Sequence, residues 1–151
     1  MTDLLAILDT EVQTLEALVR VSQAERQALM TFETVGLRQR VDEKEALLGE
    51  EDAVRTSREA WLLARGAETL PEYLATLSEA AAAPIVERRT RIRALLAALS
   101  ELNQLSLLQA TRQLRWVRTR RRTLSGAGGP TYGRRGVEGR GVAGLGLNAV
   151  V

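Results

Sequence analysis

The chain contains no cysteine and no histidine. The first absence excludes a disulfide framework and any thiolate metal or redox site. The second removes the side chain that most often works as acid or base near neutral pH and most often ligates metals. Zinc, haem and triad chemistry are set aside on that ground. No cofactor or metal site is expected, and an enzyme is the least favoured class. Aromatics make up only 3% of the residues: Phe32, Trp61, Tyr73, Trp116 and Tyr132. Rings carry much of the buried area of thick globular cores, so a chain relying on Leu, Ala and Val suits side-by-side pairing of long helices. No apolar run reaches the roughly 20 residues that cross a bilayer, and Met1-Thr2-Asp3-Leu4-Leu5 lacks the basic start of a secretory signal. A cytoplasmic location without a membrane span is the expectation. Acids are almost missing from one end. From Arg112 onward there are nine arginines and only Glu138 to oppose them, while the residues before Arg112 carry a net charge of −6. A basic end on an acidic body fits an anionic partner or a polar, solvated tail.

What is present keeps helical time. The 151 residues have room for one domain. Between Asp3 and about Met30, Leu5, Leu8, Val12, Leu15 and Val19 recur at alternating three- and four-residue steps, with Leu29 in phase and Leu4 and Leu18 widening the stripe. This is the seam of a helix lying along another helix. Thr2 or Asp3 can cap its start, and Glu16 and Arg20 stand one turn apart as an ion pair. Ser22 and Arg26 interrupt the seam, so pairing should loosen in its last third. Thr31 to Gly36 forms a break with Thr34 as a candidate cap. Its flanking helices are antiparallel neighbours, or one bent helix continues through it. Leu37, Val41, Leu47, Leu48, Val54, Trp61 and Leu62 mark a second long helix ending near Gly66, with Gly49 inside it and Glu51–Arg55 as a further one-turn pair. Thr69-Leu70-Pro71-Glu72 reads as a capping box opening a short helix through Tyr73, Leu74 and Leu77 that fades into Ala80–Ala83. Pro84 is expected to start the last long helix.

That last helix carries two apolar stripes. Ile85, Ile92, Leu96, Leu99 and Asn103 lie on one seam, which slips by a residue and continues through Leu107, Ala110, Leu114 and Val117; such a slip is a stutter that locally unwinds a coiled coil. Leu95, Ala98, Leu102 and Leu105, then Trp116, form the second. Two stripes exceed what one antiparallel partner covers, so either the helix is buried on two sides or one side awaits a partner. Past Thr123 glycine dominates, and this composition does not repay the entropy of ordering. The expected architecture is all-α: an elongated antiparallel helical hairpin or bundle of three long helices plus one short helix, with a helical domain over 1–123 and a flexible Gly/Arg-rich tail over 124–151.

Gly139-Arg140-Gly141-Val142-Ala143-Gly144 has the letters of a dinucleotide fingerprint, but no strand precedes it and too few residues follow to build the helix that would hold a pyrophosphate. Glu50, Glu51 and Asp52 point in different directions from a helix and read as a solvated face, not as acid/base pairs. Arg118, Arg120, Arg121 and Arg122 with Trp116, followed by Arg134, Arg135 and Arg140, could bind phosphates and stack bases. The same cations complement the dipole at a helix C-terminus, and the residues alone weigh these two readings equally.

Four pieces in order resemble the FlgN family of flagellar type III secretion chaperones over most of residues 1–136. They are the N-terminal Leu-rich helix, Arg40-Val41-Asp42-Glu43-Lys44-Glu45-Ala46-Leu47-Leu48, the last helix with Leu102-Asn103, and Thr131-Tyr132-Gly133 with Gly136. The chain departs from the family in its arginine density and in its extra residues after Gly136. The resemblance implies a cytoplasmic helical chaperone that binds hook–filament junction (hook-associated) proteins, FlgK-like and FlgL-like, prevents their premature assembly and delivers them to the export gate. It implies that the client is held at Asn103, Leu107, Leu108, Leu114, Trp116 and Val117, and that Tyr132 is the gate-docking residue. Helix-in-groove packing of a client's amphipathic segment on the Leu-striped helix is the matching physics. The competing class is a helical nucleic-acid-associated protein acting through its Arg/Gly tail, a partner the resemblance disfavours. A coiled-coil oligomerisation module, including a homodimer, is the structural alternative.

Overall fold

Long runs of Leu, Ala, Glu and Arg are strong helix formers, and punctuation is sparse. The computed structural model describes residues 3–126, which form α1 (Leu4–Thr31), α2 (Thr34–Leu63), α3 (Leu70–Leu74) and α4 (Glu79–Gly126), with no strand among the described residues. The chain divides after Arg115 into two compact units. The first holds α1 to α3 and α4 as far as Arg115.

Charged pairs set the register within this first unit. Arg58 of α2 reaches Glu11 of α1, and Lys44 reaches Glu25 at 2.7 Å. Moving forward along α1 moves back along α2 by the same number of residues, so the two are antiparallel, as the short break requires. Arg88 meets Asp9 at 2.6 Å, Arg91 meets Glu16 at 2.9 Å, and the Gln113 amide donates to the Leu29 carbonyl. α4 therefore runs parallel to α1. Lys44 also donates to Asn103 Oδ1 at 2.8 Å, joining α2 to α4.

The helix α1 forms the middle of the unit. Its Leu4, Leu8, Leu15 and Leu18 make one buried cluster with Ile85, Ile92 and Leu95 of α4. Each fully buried leucine stabilises the fold by about 1.5–3 kcal/mol. By contrast, α2 fully buries only Leu62; Leu47 and Trp61 are half-buried against the cluster. Near the start of α1 the bundle is closed by Trp61 and Tyr73, edge to face with centroids 5.1 Å apart, and by the Arg65 guanidinium 3.5 Å over the Trp61 ring.

Local chemistry ends the helices. Gly66 has φ 74°, and past α2 the Ala67 N–H donates to the Leu62 carbonyl and Gly66 N–H to Leu63. This is a Schellman pattern, and Ala67 and Leu62 are both buried beside it. Thr69 caps α3, its hydroxyl accepting from Glu72 N–H at 3.3 Å, while the Glu72 carboxylate accepts from Glu68 N–H.

Several local expectations change. Pro84 does not start the last helix; it is the sixth residue of α4, which begins at Glu79 and takes in the alanine run. Alanine is the best helix former, so the helix extends back past the proline at the cost of one backbone hydrogen bond. Thr34 is the first residue of α2 and not its cap. The chain turns instead on Phe32, held at φ 55°, with Phe32 and Glu33 N–H both donating to the Ala28 carbonyl. Asp3 occupies the N-cap of α1 without a side-chain capping bond. The one-turn ion pairs are also rearranged: Glu16 pairs with Arg91 of α4, and Arg55 pairs with Asp52. A surface pair one turn apart contributes only about 0.3–0.5 kcal/mol, so a neighbouring helix, or another carboxylate on the same helix, easily outcompetes it.

Candidate partner-binding surface

The two stripes of α4 separate in the first unit. Leu95 is buried, Ala98, Leu102 and Leu105 are half-buried, and Ser106 is buried. The other stripe opens to water after Ile92 except at Leu99 and Ala110, which are half-buried. Leu96 is 47% exposed, Leu107 69% and Leu114 58%. The steps between them, eleven and seven residues, are close to whole numbers of helical turns, so the three leucines follow one line along α4. Asn103 lies on that line. It is itself exposed, and its carboxamide oxygen accepts from Lys44. Leu108, exposed as well, stands about 100° round the helix from Leu107.

Lys44 was not singled out by sequence as a site residue. Its Nζ bonds to Glu25 of α1 and Asn103 of α4, so three helices meet at one ammonium. The string Arg40–Leu48 and the pair Leu102-Asn103 therefore come together across the unit. No periodicity signals this, because Lys44 and Asn103 are polar residues far apart in the chain.

The borders of the line are also defined. A recess of about 330 Å³ lies between α2, α3 and α4, with Arg58, Glu59 and Leu62 of α2 and Arg89, Ile92, Arg93 and Leu96 of α4 in its walls. One turn from Lys44 on α2, Leu48 is half exposed. Outside the line, the Glu11 carboxylate is buried against Arg58, and burial raises its pKa above the ordinary carboxylate value despite that partner.

Trp116 and Val117 belong to the second unit. Both are half exposed, and the Arg120 guanidinium lies 5.1 Å from the Trp116 ring centroid. Arg118, Arg121 and Arg122 are exposed on the same turns. Tyr132 and the Gly/Arg-rich tail from residue 127 lie outside the described residues. Among the described residues no helix is long and apolar enough to cross a membrane.

A family model described as FlgN protein matches residues 1–139 of the chain. The chain belongs to the FlgN family. Membership carries the role of a flagellar export chaperone. No curated protein and no solved structure gives a match.

Proposed function

We propose that this FlgN-family chain binds hook-associated proteins of the FlgK and FlgL type through the open stripe of α4, keeps them from assembling early and delivers them to the type III export gate. The observation that carries this is the exposure of Leu107 and Leu114 on a helix whose other stripe is buried or half-buried from Leu95 to Leu105. Apolar side chains in register and open to water lose hydration free energy when an amphipathic segment covers them, at about 25 cal/mol per Å². Asn103 frames the surface, and Trp116 and Val117 are further contacts of the same proposal. The arginines from Arg112 onward add electrostatic attraction, which acts mainly on encounter rate.

Co-purification with a FlgK-like protein tests the reading. Leu107→Ala/Leu114→Ala together are expected to weaken capture by about a hundredfold if both leucines are buried in the complex. Unchanged capture by that double variant counts against the surface. Tyr132 is proposed as the gate contact. Tyr132→Ala is expected to retain client binding and lose export; a variant that exports normally removes Tyr132 from the scheme.

A further inference from the structure

By sequence, the arginines near the end of α4 serve either the helix dipole or an anion. The structure separates the two. The helix runs on to Gly126, and its last turn holds no basic residue. A helix dipole acts on charges within that turn, so Arg118, Arg120, Arg121 and Arg122 stand before the stretch it governs. Nor does the segment carry its own counter-charge, because the chain contains no acid between Glu101 and Glu138. Every side chain from Trp116 to Thr123 is exposed. Their order round the helix is informative. At about 100° per residue, Trp116, Arg120, Val117 and Arg121 follow one another over roughly 140° of arc, with Arg118 and Arg122 beyond Arg121. Thr119 and Thr123 fill the remaining side. One face of the second unit therefore alternates apolar and cationic groups: Trp116 and Val117 are half exposed, and the Arg120 guanidinium lies 5.1 Å from the Trp116 ring centroid.

We propose that this face docks on a membrane surface rich in anionic lipid. Such a surface offers both kinds of contact in one layer: phosphates for the guanidinium groups and, just beneath them, the acyl boundary for the indole and the valine. Tryptophan favours that depth, and arginine reaches from it back to the headgroups along its own apolar stem. A nucleic acid matches only part of the face. Its phosphates suit the arginines and a base can stack on Trp116, but its backbone offers nothing apolar to Val117. The contact is peripheral, since among the described residues no helix is long and apolar enough to cross a membrane. Two apolar side chains anchor weakly on their own, so binding depends on the charge of the lipid.

Co-sedimentation of the full chain with lipid vesicles tests this. Vesicles of equal parts phosphatidylcholine and phosphatidylglycerol are expected to carry the chain down and pure phosphatidylcholine vesicles to leave it in solution, with the difference shrinking as salt rises. Each arginine near such a surface is worth about fivefold in partition, so Arg118→Gln/Arg121→Gln is expected to weaken binding about thirtyfold. Arg20→Gln/Arg38→Gln removes the same charge from exposed arginines of the first unit and is expected to change binding less than about twofold. In a Trp61→Phe background Trp116 is the one remaining indole, and lipids brominated near the headgroup end of the acyl chain are expected to quench it. Equal binding to neutral vesicles, indifference to Arg118→Gln/Arg121→Gln, equal losses in the two arginine pairs, or binding without quenching overturns the proposal. A short single-stranded RNA is the competitor. If it releases the chain from the vesicles at equal phosphate concentration, the occupant is a nucleic acid and the membrane surface falls. Capture of a hook-associated protein enters none of these outcomes, so the proposed function stands or falls separately.

Discussion

Glu11 is 2% exposed, in the middle of the buried face of α1, with one carboxylate oxygen bonded to Arg58 and the other without a hydrogen-bond partner among the described residues. Burial raises its pKa, and the attraction of Arg58 only partly offsets that rise. The folded chain therefore holds the Glu11 proton to higher pH than the unfolded chain, whose carboxylate titrates near about 4.3. Protons bound in excess by the folded state mean that stability falls as pH rises. The Glu11 contribution is fully present below about pH 4.3 and is lost as pH climbs through the folded pKa. Other carboxylates titrate in the same range, so the informative quantity is the unfolding free energy of the wild type minus that of Glu11→Gln, from urea melts across pH. That difference is expected to decline upward from about pH 4.3 and then level off; a difference that grows with pH would refute the assignment. Arg58→Ala removes the partner and leaves a buried charge, with an expected loss of about 3 kcal/mol at neutral pH.

At the scale of elements, Gly49 inside α2 and Gly66 just past its end do opposite things. Gly66 sits at φ +74°, a conformation that costs an L side chain about 1–2 kcal/mol. Gly49 lies inside α2 with open space where a Cβ would stand. Gly66→Ala is therefore expected to lower the unfolding free energy by about 1 kcal/mol, and Gly49→Ala to raise it by about 1 kcal/mol. Thermal melts of the two variants, side by side, check the sign. The helices themselves were legible because their apolar steps are long and regular and because Gly66 and Thr69 signal ends by backbone geometry. The start of α4 was misread, since proline usually opens a helix and here the alanines before it outweigh that preference. Phe32 in a left-handed turn carries no sequence signal at all. Of the candidate surface, Asn103, Leu107 and Leu114 could be read from the phase slip of α4. Which stripe faces the core could not, because that is set by how α4 packs on α1. The Lys44 bridge was hidden because Lys44 and Asn103 are polar residues far apart in the chain.

Across the first unit as a whole, the interior changes character from one end of α1 to the other. The early half packs Leu4, Leu8, Leu15 and Leu18 against Ile85, Ile92 and Leu95. In the later half the buried apolar residues of α1 are fewer and smaller, Val21, Ala28 and Leu29; Ser22 is buried with its hydroxyl unpartnered among the described residues, Ser106 is buried, and Lys44, Glu25 and Asn103 supply ties between helices. Hydrogen bonds of this kind contribute about 0.5–1.5 kcal/mol each, less than the buried leucines at the other end. Local opening needs less free energy where fewer apolar contacts must be broken. The half expected to open more readily is also the one bordered by the exposed Leu107 and Leu114. Amide hydrogen exchange of the full chain is expected to show slow exchange, governed by global unfolding, around Leu8, Leu15 and Ile92, and faster exchange around Glu25, Lys44 and Asn103. Lys44→Met keeps the stem of the side chain and removes both of its hydrogen bonds. It is expected to speed exchange about tenfold near those three residues, equivalent to about 1.4 kcal/mol of opening free energy, and to leave the early half unchanged. Uniform protection along α1, or an equal change in both halves of the Lys44→Met variant, would show that the unit opens as one body and that the polar bridge is not what holds its later half.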